Sequence, residues 1–226
     1  MKTTNGKARR PRGRPRSFDR DAALERAMEV FWEHGFEATS LADLTAAMGI
    51  NPPSLYAAFG DKEKLFMEAV ERYQRRRREQ VNQVFEEAPT AREAIERFLT
   101  LAATEFACAS GPRGCMVIMA ATNCSAASAH VQSALAERRT SSRANLKARI
   151  DRGVADGDLP AGTETGALAD FYATVLEGMA FRSRDGATRK TLLAIAQAAM
   201  RAWPRSVARS PKKRTQPHEH SARTRD

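Results

Sequence analysis

The side chains with the clearest chemistry in this sequence are the positive charges near its N-terminus. Residues 1–18 contain seven Lys and Arg side chains and no acidic one, and the whole chain has a net charge of +10. Guanidinium and ammonium groups gathered in one segment bind polyanions, of which nucleic acid is the simplest. The segment RRPRGRPR also contains prolines and a glycine. We therefore expect residues 1–16 to form a disordered basic arm that binds DNA through Arg10, Arg12, Arg14 and Arg16.

A second group of candidate residues lies in the stretch GINPPSLYAAFGDKEKL, which starts at residue 49. Asn51 is predicted to cap a short helix by accepting a hydrogen bond from the Ser54 amide, because the two intervening prolines have no amide hydrogen. The outward side chains are then neutral. Hydroxyl groups among them can bind phosphate, and the proline and alanine groups can contact a thymine methyl. The predicted DNA-contacting residues here are Asn51, Pro52, Pro53, Ser54, Tyr56 and Ala57.

The surrounding pattern predicts a helix-turn-helix, whose second helix enters the DNA major groove. An apolar helical stripe ends at Gly35, Thr39 or Ser40 caps a helix that stops at Gly49, and a helix over 52–59 follows. Because so short a helix is marginal in water, Leu55 and Phe59 must hold it against its neighbours. Backbone amides at helix starts attract phosphate. This adds three residues to the predicted DNA site: Thr39, Ser40 and Lys62.

The rest of the chain shows helical spacing of apolar residues and almost no strand signal. Helices are predicted over 61–87, 90–109, 115–123, 126–156, 163–181 and 188–203. The predicted fold class is all-α with about nine helices: an N-terminal three-helix helix-turn-helix domain at 17–64 and a C-terminal helical bundle at 65–203. Residues 204–226, with a net charge of +5, are predicted to be a disordered basic tail.

The apolar segment GPRGCMVIMAATNC has two interpretations. It is either core packing or the wall of a ligand cavity, because apolar pockets between helices are common ligand sites. The predicted cavity residues are Phe98, Phe106, Cys115, Met116, Met119, Phe171 and Met179.

The three cysteines have no zinc-like spacing and are predicted to be reduced thiols in a cytoplasmic protein, with no metal and no cofactor. Cys115 follows a glycine at a predicted helix start, where the pKa of a thiol can fall. One interpretation is therefore a redox sensor, with Cys108 as resolving thiol. The other is that Cys115 is a small buried apolar residue.

The segment FDRDAALERAMEVFWEHGFEATSLADLTAAMGINPPSLYAAFGDKEKLFMEAV resembles the DNA-binding domain of the TetR/AcrR family of bacterial transcriptional regulators. The resemblance implies a homodimer that binds a palindromic operator, usually as a repressor, with a C-terminal domain that binds an inducer. By position, Thr39 and Ser40 match a phosphate-binding helix start, and Lys62 matches a lysine that grips a phosphate. Three further residues match operator-contact positions: Pro53, Ser54 and Tyr56. Ala57 and Ala58 stand where the family often has a bulky aromatic residue and a histidine.

In the resembled family the last two helices form the dimer interface. This implies an interface made of Leu168, Tyr172, Val175, Leu192, Ile195, Ala196, Ala199 and Trp203. The alternative is that these residues only close the core of a single chain.

The predicted function is a homodimeric repressor, released from a palindromic operator by a small-molecule inducer. An activator, a thiol-based regulator acting through Cys115 and an architectural DNA-binding protein remain alternatives. We predict no enzymatic activity, because the chain has no GxGxxG, P-loop or HExxH motif. No run of about 18 apolar residues occurs, so no contact with a membrane is predicted.

Overall fold

The computed structural model describes residues 18–109 and 111–204, and these form nine α-helices and no strand. The helices are α1 (Arg20–Ala38), α2 (Leu41–Met48), α3 (Pro52–Phe59), α4 (Lys62–Glu87), α5 (Ala91–Phe106), α6 (Met116–Met119), α7 (Ala129–Ala155), α8 (Thr165–Arg184) and α9 (Arg189–Met200), with a 3-10 turn at Ala126–Ser128. The all-α prediction of about nine helices is confirmed. The predicted basic arm, with Arg10, Arg12, Arg14 and Arg16, and nearly all of the predicted tail lie outside the described residues.

Local hydrogen bonds set the starts of the front helices. Ser40 and Asp43 form a capping box: the Asp43 amide donates to Ser40 Oγ over 3.1 Å, and the Ser40 amide donates to the Asp43 carboxylate over 2.8 Å. At the start of α3 the Ser54 amide donates to Asn51 Oδ1 over 2.9 Å. Both caps agree with the sequence prediction, because they depend on residues three apart along the chain.

Gly35 interrupts the helical backbone within α1, at the position where the apolar stripe is predicted to end. Its φ of 80° belongs to the left-handed region, so the helix kinks there and runs on to Ala38. The kink turns the Phe36 amide toward the Ala120 carbonyl, and the two form a hydrogen bond of 2.6 Å. A Cβ at residue 35 would lie 3.1 Å from the same carbonyl oxygen. Glycine is therefore required twice, by its φ and by this close approach.

The helix predicted over 115–123 is only the four residues of α6. The Ala120 carbonyl accepts the Phe36 amide instead of an amide further along its own helix, so the helical ladder stops there. The sequence offered no glycine or proline at this point. The helix ends because a distant part of the chain, α1, supplies the hydrogen bond.

One long helix, α4, belongs to both halves of the molecule. Its first half contributes Leu65, Phe66 and Val70 to a core shared with α1, α2 and α3, and its second half contributes Phe85 to the rear bundle. In the rear bundle α5 packs against α4, α7, α8 and α9. The predicted domain boundary after residue 64 falls in the first turn of this helix.

The C-terminal end of α4 is held by buried arginine. Arg149 is 4% exposed, and its guanidinium donates to the Phe85 and Ala88 carbonyls, each over 3.1 Å. These carbonyls have no partner within the helix, so a side chain of α7 provides the hydrogen-bond donors that the end of α4 lacks. Within the described ranges, no helix is long and apolar enough to cross a membrane.

Candidate nucleic-acid interface and cavity

The outward face of α3 is neutral and open. Leu55 and Phe59 are 0% and 5% exposed, so one side of the helix is fixed in the core. Tyr56 is 48% exposed on the other side. The further exposed residues of this turn and helix are Asn51, Pro52, Pro53 and Ala57, with Ser54 half-buried. The arrangement presents small apolar groups and one phenol, with hydrogen-bonding capacity limited to Asn51, Ser54 and Tyr56.

Arg20 fixes the position of α3 on α4. Its guanidinium forms two hydrogen bonds to the Glu68 carboxylate, of 2.6 and 2.7 Å, and these raise the pKa of Arg20. It also lies 4.4 Å above the Phe59 ring and donates to the Ala58 carbonyl over 3.3 Å. Sequence reasoning missed this residue, because nothing local distinguishes it from the other arginines near the N-terminus.

The predicted phosphate-binding helix start is partly closed. The Thr39 side chain is buried, and its hydroxyl donates to the Gly35 carbonyl over 2.6 Å. Ser40 is exposed, but its hydroxyl donates to Asp43 over 2.6 Å. The hydrogen bonds from Ser40 lower the pKa of Asp43, so a negative charge stands at this helix start. A phosphate here would share the Ser40 hydroxyl and amide with that carboxylate.

The side chain of Lys62, which is predicted to bind a phosphate, is folded back toward α1. Its Nζ lies 4.6 Å from the centre of the Phe36 ring and 3.5 Å from the Glu37 carbonyl oxygen. Burial lowers the pKa of this ammonium group, although Glu37 and Asp43 lie close by and favour its charge. In this structure Lys62 packs against the kink of α1.

A cavity with an interior volume of about 120 Å³ opens among α4, α5, α6, α7 and α8. Three predicted residues line it: Phe98, Phe106 and Cys115. Four predicted residues are not in its lining: Met116, Met119, Phe171 and Met179. In the short helix α6, Val117 and Ile118 line the cavity, whereas Met116 is buried in the core.

Four arginine side chains line the cavity. Three of them pair with carboxylates: Arg77 with Glu105, Arg78 with Glu71 and Arg143 with Asp170. The fourth, Arg139, donates to the Val117 carbonyl over 3.0 Å. The lining also includes the carboxylate of Glu177 on α8. The wall therefore combines an apolar interior with paired charges at its edge.

Tyr73 on α4 contacts both the cavity and the helix-turn-helix unit. It lines the cavity, as Cys115 does, and the two side chains interact electrostatically. Its ring meets the ring of Trp32 in α1 edge to face, at 4.8 Å between centroids. Burial raises the pKa of the Tyr73 hydroxyl well above its ordinary value, so it stays protonated. Among the described residues, no group of three or more His, Cys, Asp or Glu is placed to hold a metal ion.

The residues predicted for a dimer interface divide into two groups. Five are buried within the single chain: Tyr172, Leu192, Ala196, Ala199 and Trp203. The other three are half-buried: Leu168, Val175 and Ile195. Tyr172 illustrates the first group, because its hydroxyl donates to the Ala199 carbonyl over 3.3 Å and burial raises its pKa to about 12.

A different set of apolar residues on α8 faces outward. Phe171 is 39% and Phe181 is 47% exposed, and Gly178 is exposed between them. Together with Val175 they follow the helical repeat along one face, and we call these four residues the α8 stripe. Two aromatic rings left in solvent on one helix face are typical of an interaction surface.

Comparison with known proteins matches both halves of the chain to protein-family models. Residues 23–69 match the family model "Bacterial regulatory proteins, tetR family", and residues 91–200 match "Tetracyclin repressor-like, C-terminal domain". The HTH-type transcriptional repressor ComR of Escherichia coli K12 is 36% identical over 200 residues, which are 88% of this chain and 95% of ComR. The repressor BdcR of the same organism is 37% identical over 106 residues, 47% of this chain and 54% of BdcR.

Among solved structures, a cysteine mutant of the TetR family transcriptional regulator CifR, complexed with a 26 bp operator DNA, is 48% identical. It superposes with a TM-score of 0.83, covering 84% of this chain and 100% of the CifR chain.

Proposed function

Because this chain belongs to the TetR family of bacterial transcriptional regulators, we propose that it is a homodimeric repressor released from a palindromic operator by a small molecule. The observation that carries this proposal is the course of α4. This helix starts directly after α3 and packs against it, and its second half forms part of the cavity wall. A molecule bound among the rear helices therefore acts on the same rigid element that orients the helix-turn-helix unit.

The proposed DNA complex follows from two-fold symmetry. A dimer presents two copies of α3, which enter successive major grooves about 34–36 Å apart. The exposed Tyr56 and the proline and alanine groups beside it then face the base pairs. The α8 stripe supplies the apolar surface for the dimer contact, with Phe171 and Phe181 covered by a second copy.

Release depends on two conformations of the dimer with different half-site spacing. A molecule that prefers the conformer with the wrong spacing lowers DNA affinity by its differential affinity for the two states. Tyr73 supports this route, because its ring packs against Trp32 of α1 while it also forms part of the cavity wall.

The test is selection of bound DNA from a random duplex pool with the full-length protein. We expect the selected sequences to share a palindrome, with half-site centres one helical turn apart or a multiple of it. Selected DNA without two-fold symmetry would contradict the dimer and favour an architectural binding protein. A reporter placed behind the selected palindrome should fall in expression when the protein is present, whereas a rise would identify an activator.

Deleting residues 1–16 is predicted to weaken binding to operator and to random DNA alike. These residues contain seven basic and no acidic side chains. The slope of log K against log salt is expected to flatten by about 0.9 for each phosphate that they contact. The binding constants are measured by fluorescence anisotropy at salt concentrations from about 50 to about 200 mM, a range over which such affinities change strongly.

Deleting residues 205–226 serves as the control, because this segment also carries seven basic side chains but includes two acidic ones. We expect its removal to change the salt slope less. An N-terminal deletion with the affinity and slope of the full-length protein would show that the arm does not bind DNA.

A second candidate function, regulation through a thiol, is favoured by one observation. Cys115 lies in the cavity wall and interacts electrostatically with Tyr73 of α4, so a chemical change at its sulfur would act on α4. On this hypothesis, peroxide releases the wild-type protein from its operator but does not release the Cys115→Ser variant. Cys124→Ser is the matched control, because Cys124 is half-buried and is not in the cavity lining. Release of Cys115→Ser by peroxide would exclude the hypothesis.

A further inference from the structure

We propose that the cavity takes amphipathic molecules that carry a carboxylate, and that Arg139 is the residue that binds this carboxylate. The inference rests on the proposed function only in naming the occupant as the inducer. The binding site itself is argued from the charges and apolar surfaces of the cavity wall.

Arg139 differs from the other arginines of the cavity in its partner. Arg77, Arg78 and Arg143 each already pair with a carboxylate of the chain. The described residues give Arg139 a neutral partner, the Val117 carbonyl at 3.0 Å. A guanidinium group has five N–H donors, so one hydrogen bond leaves most of them unused. A ligand carboxylate can therefore bind Arg139 without displacing a carboxylate of the protein, and the charge-assisted pair would be strong in this half-buried position.

The remaining wall favours an apolar body for the same ligand. Phe85 and Phe98 lie side by side in the lining, with ring centroids 5.6 Å apart. Further apolar lining residues are Val81, Val117, Ile118, Leu146 and Leu176. Covering this surface with a hydrocarbon chain or an aromatic ring removes apolar area from water, which favours binding.

Glu177 adds a negative charge to the same cavity lining. It lies on α8, and the ion pairs of the lining arginines are made to other carboxylates. A ligand carboxylate beside Glu177 would meet a like charge, which weakens its binding. Replacing Glu177 with Gln is accordingly expected to strengthen binding of an acid.

Binding at Arg139 has a direct route to the DNA-binding unit. Arg139 donates a hydrogen bond to the Val117 carbonyl of α6. Three residues later, the Ala120 carbonyl accepts a hydrogen bond of 2.6 Å from the Phe36 amide of α1. This contact is close, because a Cβ on Gly35 would lie 3.1 Å from the same oxygen. A carboxylate bound to the free N–H groups of Arg139 reorients its guanidinium group and so weakens the bond to α6, and α6 packs against α1. Acid binding is therefore expected to weaken operator binding.

The test compares acids with neutral molecules of matching shape, on the full-length protein. The probes are three pairs: hexanoate and hexanol, decanoate and decanol, and 4-phenylbutyrate and 4-phenylbutanol. Calorimetric titration gives each affinity, and anisotropy with the selected operator gives release. In at least one pair the acid is expected to bind about tenfold or more tightly than its alcohol, as one charge-assisted contact provides.

The decisive variant is Arg139→Gln, which keeps a polar side chain at this position but removes the charge. It is expected to bind acid and alcohol equally while keeping the melting temperature of the wild type. Arg143→Gln is the matched control, since Arg143 lines the same cavity but pairs with Asp170 through a 2.8 Å hydrogen bond. It is expected to keep the preference for acid.

Three outcomes would overturn the proposal: equal binding of acid and alcohol by the wild type, an acid preference that survives in Arg139→Gln, or binding of no probe at all. None of these outcomes would affect a palindrome found by DNA selection. Conversely, an acid preference that depends on Arg139, together with selected DNA that lacks a palindrome, would leave the ligand site standing and remove the proposed function.

Discussion

Replacing Phe181 with Glu is expected to turn the proposed dimer into monomers and to lower operator affinity by about 100-fold or more. Phe181 is 47% exposed at one end of the α8 stripe. In a two-fold contact each substitution appears twice, so two unpaired carboxylates would be buried in one interface. Burying an unpaired charge costs several kcal/mol, and about 2.8 kcal/mol already corresponds to 100-fold.

The measurement is sedimentation of the variant, followed by anisotropy with the selected operator. Thr100→Glu is a suitable control, because Thr100 is exposed on α5 and places the same new charge away from the α8 stripe. The control is expected to remain a dimer with wild-type affinity. A Phe181→Glu protein that still sediments as a dimer would show that another surface joins the two copies.

Replacing Tyr56 with Ala is expected to abolish specific binding, leaving an affinity for operator equal to that for random duplex of the same length. Tyr56 is 48% exposed and is the largest group on the outward face of α3. Beside it this face carries only prolines, alanines and short polar groups, so no neighbouring side chain can replace its phenol. Specific complexes are typically at least about 1,000-fold tighter than non-specific ones, so the loss is large.

Tyr56→Phe distinguishes the contribution of the aromatic ring from that of the hydroxyl group. The ring remains, and only a hydroxyl that can bind a phosphate is lost, so a decrease of about tenfold is expected. Both variants should melt at the wild-type temperature, because the Tyr56 ring is not part of the core. An unchanged preference of Tyr56→Ala for the palindrome over random DNA would show that α3 is not the helix that reads the operator.

How far the sequence predicted the fold depends on the range of the interactions. The Asn51–Ser54 and Ser40–Asp43 caps were predictable, because each is a hydrogen bond between residues three apart. The helical class and the order of helices followed from apolar spacing in the same way. The break in the helix at Gly35 was predictable, because glycine is a local signal. The last turn of α1 beyond it was not, because the Phe36 amide bonds to the Ala120 carbonyl, 84 positions later in the sequence.

The predictable part of the candidate site was the identity of α3 and its outward residues, since Leu55 and Phe59 define the inner face by spacing. Arg20 could not be singled out, because its role arises from Glu68 and Phe59 on other helices. The place of Lys62 against Phe36 likewise depends on how α4 meets the kink of α1.

By itself, the sequence determined an all-α chain with a helix-turn-helix whose reading face is neutral, because caps, turns and helical periodicity are local. In the rear bundle, only the tertiary structure decided which apolar residues face the core, the cavity or the solvent. Tyr172 closes the core while Phe171 beside it faces solvent, and Val117 lines the cavity while Met116 packs behind it. Adjacent residues on a helix lie about 100° apart, so composition cannot assign them to core, cavity or surface. That assignment requires the packing of α4, α5, α6, α7 and α8 around one shared space.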